Sequence, residues 1–85
     1  MRFLTTETFK APPTADVQAV IPAEQARVKE LTKQGLIAAV YVAADLSGAW
    51  IVWNVESQAA LEEAHSTLPL HPFLNSEITV LAEEM

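Results

Sequence analysis

The stretch LIAAVYVAADLSGAWIVWNV, residues 36–55, decides the fold of this 85-residue chain. It contains two apolar runs, residues 36–43 and 49–55, separated by the turn sequence Asp45-Leu46-Ser47-Gly48. Two short apolar runs joined by a glycine-containing turn are typical of an antiparallel β-hairpin. The sequence therefore predicts that this stretch supplies two strands of a sheet.

The segments on either side of the hairpin each predict one strand and one helix. Residues 1–8 alternate weakly and contain Phe3 and three threonines, residue types that favour a first strand. Residues 22–34 predict a helix with Gly35 as its C-cap. Pro22 either kinks a longer helix or begins a new one. Ser57 is the predicted N-cap of a second helix that ends at Pro69, and residues 77–83 predict the last strand.

The predicted order is therefore β-α-β-β-α-β over residues 1–85. This order is typical of a single α+β domain of the ferredoxin-like kind, with a four-stranded antiparallel sheet and two helices on one face. The length is sufficient for one domain and not for two.

Both faces of the predicted hairpin are apolar. Trp50 and Val52 point to one face, because alternate residues of a strand face opposite sides. The other face carries Ile51, Trp53 and Val55. The neighbouring strand alternates Ile37, Ala39 and Tyr41 with Leu36, Ala38, Val40 and Val42. Two helices cover only one face, so the other predicts a homodimer that pairs sheet to sheet. A monomer with an exposed or ligand-lined face is the alternative.

Composition excludes several classes of partner. Eleven acidic residues against five basic ones give a net charge of −6, and the acids are scattered. Nucleic acids and anionic membranes need clustered basic residues, so neither is an expected partner. The chain has no cysteine, which excludes disulfides and thiolate sites and favours a reducing, cytoplasmic location. Residues 1–10 lack the pattern of a signal peptide, and no apolar run is long enough to span a membrane.

A second set of residues carries a resemblance to a known family. Val55-Glu56-Ser57 is followed by Leu61, by LPLHPF at residues 68–73 and by EITVL at residues 77–81. This arrangement resembles the muconolactone isomerase family, whose pattern there is VES…L…LPLFPY…V.PL. The resemblance implies a dimeric α+β barrel and an enzyme without a cofactor or metal. It also implies aromatic catabolism and proton transfer that moves a double bond within a small acidic lactone.

The chain departs from the family pattern on the first two strands. Members of the family carry histidine and arginine there. The corresponding neighbourhood here holds Leu4, Thr6, Ala38, Ala39 and Val42. A more apolar pocket is therefore expected, and three functions stay open. They are a cofactor-free isomerase acting on a small oxygenated molecule, a non-catalytic relative that binds a small ligand, and a cofactor-free monooxygenase or cyclase of the same superfamily.

Glu24 and His65 are the candidate catalytic residues. Glu24 lies near a glutamate of the family and is a proton-transferring carboxylate if it faces inward. Alternatively, it is an acid in the first turn of a helix, favoured there by the helix dipole. His65 is a candidate general base because histidine titrates near neutral pH. As a cation near the end of the second helix, it is also explained by the dipole.

Four further residues are candidates for substrate binding: Tyr41, Trp53, His71 and Phe73. For each aromatic side chain, packing in the core or in an interface is the preferred alternative, and for His71 it is a position in an interface or at the surface. The two histidines lie six residues apart without patterned carboxylates, which does not predict a metal site. With two glycines in the chain there is no glycine-rich phosphate loop, so no cofactor is predicted.

Overall fold

The structure, a computed structural model, describes residues 1–82 and has the predicted order of elements. Glu83, the end of the predicted last strand, lies outside the described residues. Within residues 1–82 the elements are β1 (Arg2–Phe9), α1 (Ala15–Lys33), β2 (Ile37–Val42), β3 (Gly48–Asn54), α2 (Gln58–His65) and β4 (Leu74–Leu81). A short 3-10 helix, His71–Phe73, precedes β4.

The sheet formed by these strands is antiparallel throughout, in the order β2-β3-β1-β4. In β1, Phe3 lies opposite Trp53 of β3 and Val80 of β4. The hairpin is thus formed as predicted, and β1 occupies a central position between β3 and β4.

Both helices cover the same face of the sheet, which is called the covered face below. The main core is a single cluster that joins this face to the helices. It consists of Phe3, Leu31, Ile37, Ile51, Trp53, Val55, Leu61, Ala64 and Leu68. Trp53 and Phe3 are its largest fully buried members, which places the centre of the core over β1 and β3.

Helix α1 continues through Pro22. The proline removes one backbone donor, but the helix runs from Ala15 to Lys33 without a break in its assignment. Val17, Glu24 and Leu31 are spaced by seven residues and therefore lie on one face of α1. Val17 and Leu31 are buried, which turns Glu24 towards the sheet between them. The interpretation of Glu24 as an acid of the first turn is wrong, because the helix begins nine residues earlier.

The second helix is shorter than predicted. The hydroxyl oxygen of Ser57 accepts a hydrogen bond from the Ala60 N–H at 3.1 Å, so the predicted N-cap is confirmed. The helix ends at His65 and not at Pro69. Tight turns replace the last expected helical turn, with the Leu68 N–H donating to the His65 carbonyl. Consequently, His65 is the last residue of α2.

A register shift corrects the predicted faces of β2. Ile37 lies opposite Trp53 and Ala39 lies opposite Val52, so one extra residue of β2 forms a bulge between them. Ile37 therefore faces the core, and Ala39 and Tyr41 face the other side. The prediction that all three share a face is wrong, because a bulge reverses the alternation.

The face of the sheet without helices is called the open face below. Tyr41 lies opposite Trp50 on this face, and their side chains are 62% and 40% exposed. Leu4, Ala39 and Val52 are half-buried around them. The expected apolar patch is therefore present, and it lies opposite the face that the helices cover.

Candidate active site

Three polar side chains meet on the covered face: Glu7, His65 and Ser76. His65 Nε2 lies 2.5 Å from Glu7 Oε1 and 3.2 Å from Glu7 Oε2. The Ser76 hydroxyl donates to Glu7 Oε2 at 2.5 Å and lies 3.2 Å from His65 Nε2. Glu7 and His65 are both buried, with side chains only 4% and 10% exposed. Buried charged side chains are rare unless paired, so this cluster is a candidate site.

The fold explains how these three residues meet. Glu7 follows Phe3 and Thr5 on the covered face of β1, and all three are buried. Ser76 lies directly opposite Glu7 in the β1–β4 register, so the two side chains project on the same side. His65, at the end of α2, then lies over the two strands.

The hydrogen bonds determine which nitrogen of His65 carries the proton. An ionised carboxylate only accepts hydrogen bonds, so its contact with Nε2 requires an Nε2–H. In a neutral imidazole the other nitrogen, Nδ1, is then a free base. Nδ1 has no hydrogen-bond partner within residues 1–82, yet no buried polar side-chain atom there is unpaired. Nδ1 is therefore unpaired but not completely enclosed by the protein.

Two aromatic rings hold His65 in place. The Trp53 ring meets it edge-on at a centroid distance of 6.0 Å, and the His71 ring does so at 5.1 Å. Trp53 is itself fixed, because its Nε1–H donates to Thr5 Oγ1 at 2.9 Å. His71 is exposed, so the site reaches the surface on that side and at Ser76.

Glu24 borders the site through residues 66–73, the connector between α2 and β4. Its Oε1 accepts a hydrogen bond from the Leu70 backbone N–H at 3.0 Å, one residue before His71. Burial raises the pKa of the Glu24 carboxyl above its ordinary value. The Leu70 hydrogen bond opposes this rise, the Glu7 charge adds to it, and the His65 charge opposes it. The charges of both Glu7 and His65 therefore affect the pKa of Glu24.

Arg27 of α1 forms a hydrogen bond to the segment that follows α2. Its Nε donates to Thr67 Oγ1 at 2.9 Å, just after α2, and its Nη1 lies 3.3 Å from Glu30 Oε2. The Thr67 hydroxyl in turn donates to the Ala64 carbonyl. These contacts hold the end of α2, and with it His65, against α1.

The sequence matches a known family along almost its whole length. The sequence model of the muconolactone delta-isomerase family matches residues 1–84. The chain belongs to the muconolactone delta-isomerase family. No curated protein sequence gives a significant match. The resemblance carried by residues 55–81 is thereby confirmed.

Solved structures of this fold agree with the family assignment. A crystal structure of muconolactone isomerase at 3.3 Å resolution superposes with a TM-score of 0.84, at 24% identity, over 99% of this chain and 91% of that chain. A 5-chloro-2-hydroxyhydroquinone dehydrochlorinase from Burkholderia phenoliruptrix AC1100, in complex with 2,5-dihydroxybenzoquinone, gives 0.69 at 14% identity over 99% and 96%. At these identities the likeness establishes the α+β fold, with its four-stranded antiparallel sheet and two helices.

Sequence reasoning selected some residues of this site and missed others. Glu24, His65, Trp53 and His71 lie in or beside it. Tyr41 lies on the open face, away from His65. Phe73 is half-buried, and its described contact is a backbone one: its carbonyl accepts from the Lys10 N–H.

Glu7 and Ser76 were missed. The available signal was a lone carboxylate at position 7, which lies on the same face of the first strand as Phe3 and Thr5. Ser76 falls one residue before the predicted start of the last strand, which the structure places at Leu74. The expectation of a largely apolar pocket overlooked Glu7.

Two surface clefts are not lined by Glu7, His65 or Ser76. One surface cleft lies between the helices and is lined by Arg27, Leu31, Gln34 and Val55, and another lies between residues 8–13 and 45–47. Within residues 1–82, no group of three or more histidine and acidic side chains has the arrangement of a metal site. Neither helix among those residues combines the length and apolar character needed to cross a membrane.

Proposed function

We propose that the chain catalyses proton transfer within a small oxygenated molecule, as an isomerase of the muconolactone type. The observation that carries this proposal is the buried Glu7–His65 pair, with Nδ1 of His65 unpaired within residues 1–82. An unprotonated Nδ1 can accept a proton as a general base, and a carboxylate at the other nitrogen stabilises the imidazolium that forms.

The proposed reaction is an allylic shift. His65 Nδ1 removes a proton from the γ carbon of an unsaturated lactone, and the electrons of that C–H bond form a dienolate with the conjugated carbonyl. The same nitrogen then returns the proton to the carbon next to the carbonyl, so the double bond moves and no atom is gained or lost. Glu7 is a positioning residue, since it touches His65 and not the substrate.

Three further candidates have supporting roles in this proposal. The His71 ring, 5.1 Å from that of His65, is placed to donate a hydrogen bond to the oxygen on which the enolate charge develops. Glu24 fixes the connector that carries His71, through the Leu70 N–H. Trp53 packs edge-on against the ring of His65, and we assign it no direct contact with a ligand.

The experiment is to follow the absorbance of muconolactone, as the free acid and as its uncharged methyl ester, with the purified chain. Turnover above background is expected, and His65→Gln should lower kcat/KM by a factor of about 10² to 10⁴, the usual contribution of general acid–base catalysis. Glu62→Gln, a change of the same kind at an exposed position of α2, is the matched control and should leave kcat/KM unchanged. Background turnover of both forms by a correctly assembled chain would disprove the specific isomerase reaction.

We also propose that two copies of the chain pair through their open faces. The exposed apolar pair Tyr41 and Trp50, with Leu4 and Val52 beside it, supports this arrangement. Apolar patches of this kind on soluble proteins usually mark interaction surfaces. The proposed site lies on the covered face, so pairing through the open faces would not cover it.

A further inference from the structure

The charged groups around His65 are mostly negative. Glu7 on β1 bonds to it directly, and Glu24 on α1 borders it through the connector. Its other titratable neighbour is His71, whose ring packs against it. Within residues 1–82, the hydrogen bonds and ion pairs of Glu7, Glu24 and His65 involve no lysine or arginine.

The nearest basic side chain along α1 has other partners. Arg27 lies one turn after Glu24, but its guanidinium donates to Thr67 and Glu30. At the end of β1, Lys10 is exposed, and its described contact is the backbone bond to Phe73. A negatively charged ligand beside His65 would therefore meet two carboxylates. Within residues 1–82, no guanidinium or ammonium group is bonded to these carboxylates or to His65.

From this charge distribution we infer that the site selects against anionic substrates and accepts an uncharged oxygenated molecule with an acidic C–H bond. Glu24 is the residue that sets this preference. The inference rests on the proposed function, because it concerns the ligand of the same His65 site. It differs from what the family resemblance implies, which is an acidic lactone.

Glu7 and Glu24 are not equivalent in how strongly their charges repel an anionic ligand. Glu7 is paired with His65, so a proton gained by the imidazole neutralises the pair. Glu24 accepts only the uncharged Leu70 N–H, so its charge has no such partner. Like charges within a partly buried site repel each other far more strongly than in water. Removing the Glu24 charge is therefore expected to relieve the repulsion while the Glu7–His65 pair stays intact.

The test compares muconolactone with its methyl ester, two ligands that share one ring and differ in one charge. Binding is measured at about pH 8, where the free carboxyl is ionised. The probe is the ring proton resonance of His65, followed by NMR in the chain itself and in Glu24→Gln. This variant keeps an amide oxygen for the Leu70 N–H, and Glu62→Gln serves as the matched surface control.

The ester is expected to bind at least about tenfold more tightly than the acid, equivalent to about 1.4 kcal/mol. In Glu24→Gln the acid should gain most of that factor, while the ester should change little. Equal binding of both ligands, with the His65 resonance shifted, would overturn the inference and leave the proposed function standing. If neither ligand shifts that resonance, the proposed function fails and the inference fails with it. If Glu24→Gln weakens both ligands equally, Glu24 holds the site together and does not set its preference.

Discussion

At the scale of single residues, the account depends on the protonation of His65. The carboxylate of Glu7 requires a proton on Nε2, which leaves Nδ1 as the base. We expect nitrogen NMR of labelled histidine to show a protonated Nε2 and an unprotonated Nδ1 in the neutral ring. In Glu7→Gln this preference should weaken, because a neutral amide can donate as well as accept. A protonated Nδ1 in the unsubstituted chain would contradict the assignment.

Glu24 predicts a pH-dependent stability with a definite sign. Because burial raises the pKa of Glu24, the folded chain holds that proton more tightly than the unfolded chain does. The resulting stabilisation is complete below about pH 4.5, the ordinary value, and is lost as the pH rises through the folded-state pKa. Glu24→Gln carries no charge and avoids that loss. Its free energy of unfolding relative to the unsubstituted chain should therefore rise between about pH 4 and pH 7.

Urea denaturation at several pH values measures this difference. Glu62→Gln, at an exposed position, should show no comparable trend. A relative stability of Glu24→Gln that falls with pH would mean that the ionised carboxylate stabilises the fold, through Leu70, more than its burial costs.

Single residues also mark the limit of sequence reasoning. His65 and Glu24 were selectable because histidines and inward-facing acids are chemically conspicuous. Glu7 was not selected, because a carboxylate in a strand is ordinarily exposed, and its partners lie 58 and 69 residues away in sequence. No local pattern encodes contacts at that separation.

At the scale of elements, the β2–β3 hairpin holds β1 close at the position of Glu7. Gly48 begins β3, and a Cβ atom at this position would lie 2.5 Å from the Glu7 carbonyl oxygen. Gly48→Ala should therefore force β3 away from β1 and destabilise the fold by about 1–3 kcal/mol, as overpacking usually does. Thermal unfolding measures the loss, and the His65 resonance reports whether Glu7 has moved. An unchanged melting temperature would show that the strands separate at little cost.

The turn of the same hairpin offers the opposite change. Leu46 has a φ of 62° and is 72% exposed, so it adopts a left-handed conformation without a compensating burial. Leu46→Gly should stabilise the chain by about 0.5–1 kcal/mol, since glycine adopts this conformation without steric cost. A stability loss in thermal unfolding would mean that Leu46 makes a contact of value in the folded chain.

The elements were predictable where a local rule determines them. The Ser57 cap, the Gly35 turn with its φ of 81° and the hairpin all follow from short-range stereochemistry. The bulge in β2 and the continuity of α1 through Pro22 do not follow from any short-range rule. Both depend on tertiary packing: Ile37 turns to the core opposite Trp53, and Val17 and Leu31 are buried at the two ends of α1.

At the scale of the whole molecule, the open face predicts assembly. Trp50→Asp places a charge at the centre of that face, and we expect it to convert a dimer or larger assembly to monomers. Light scattering coupled to gel filtration measures the change. Leu46→Asp, an equally drastic change at an exposed turn, is the control and should leave the assembly intact. An unchanged oligomer in Trp50→Asp, or a monomeric unsubstituted chain, would contradict pairing through this face.

The central claim, that His65 moves protons within a bound molecule, is tested most directly by solvent deuterium. Muconolactone methyl ester is incubated with the chain in D₂O, and proton NMR follows the loss of signal at the γ carbon, whose C–H bond the proposed reaction breaks. The account predicts exchange above the rate in buffer, reduced by a factor of about 10² or more in His65→Gln. Exchange at the rate of buffer alone, or at the same rate in His65→Gln, would contradict it.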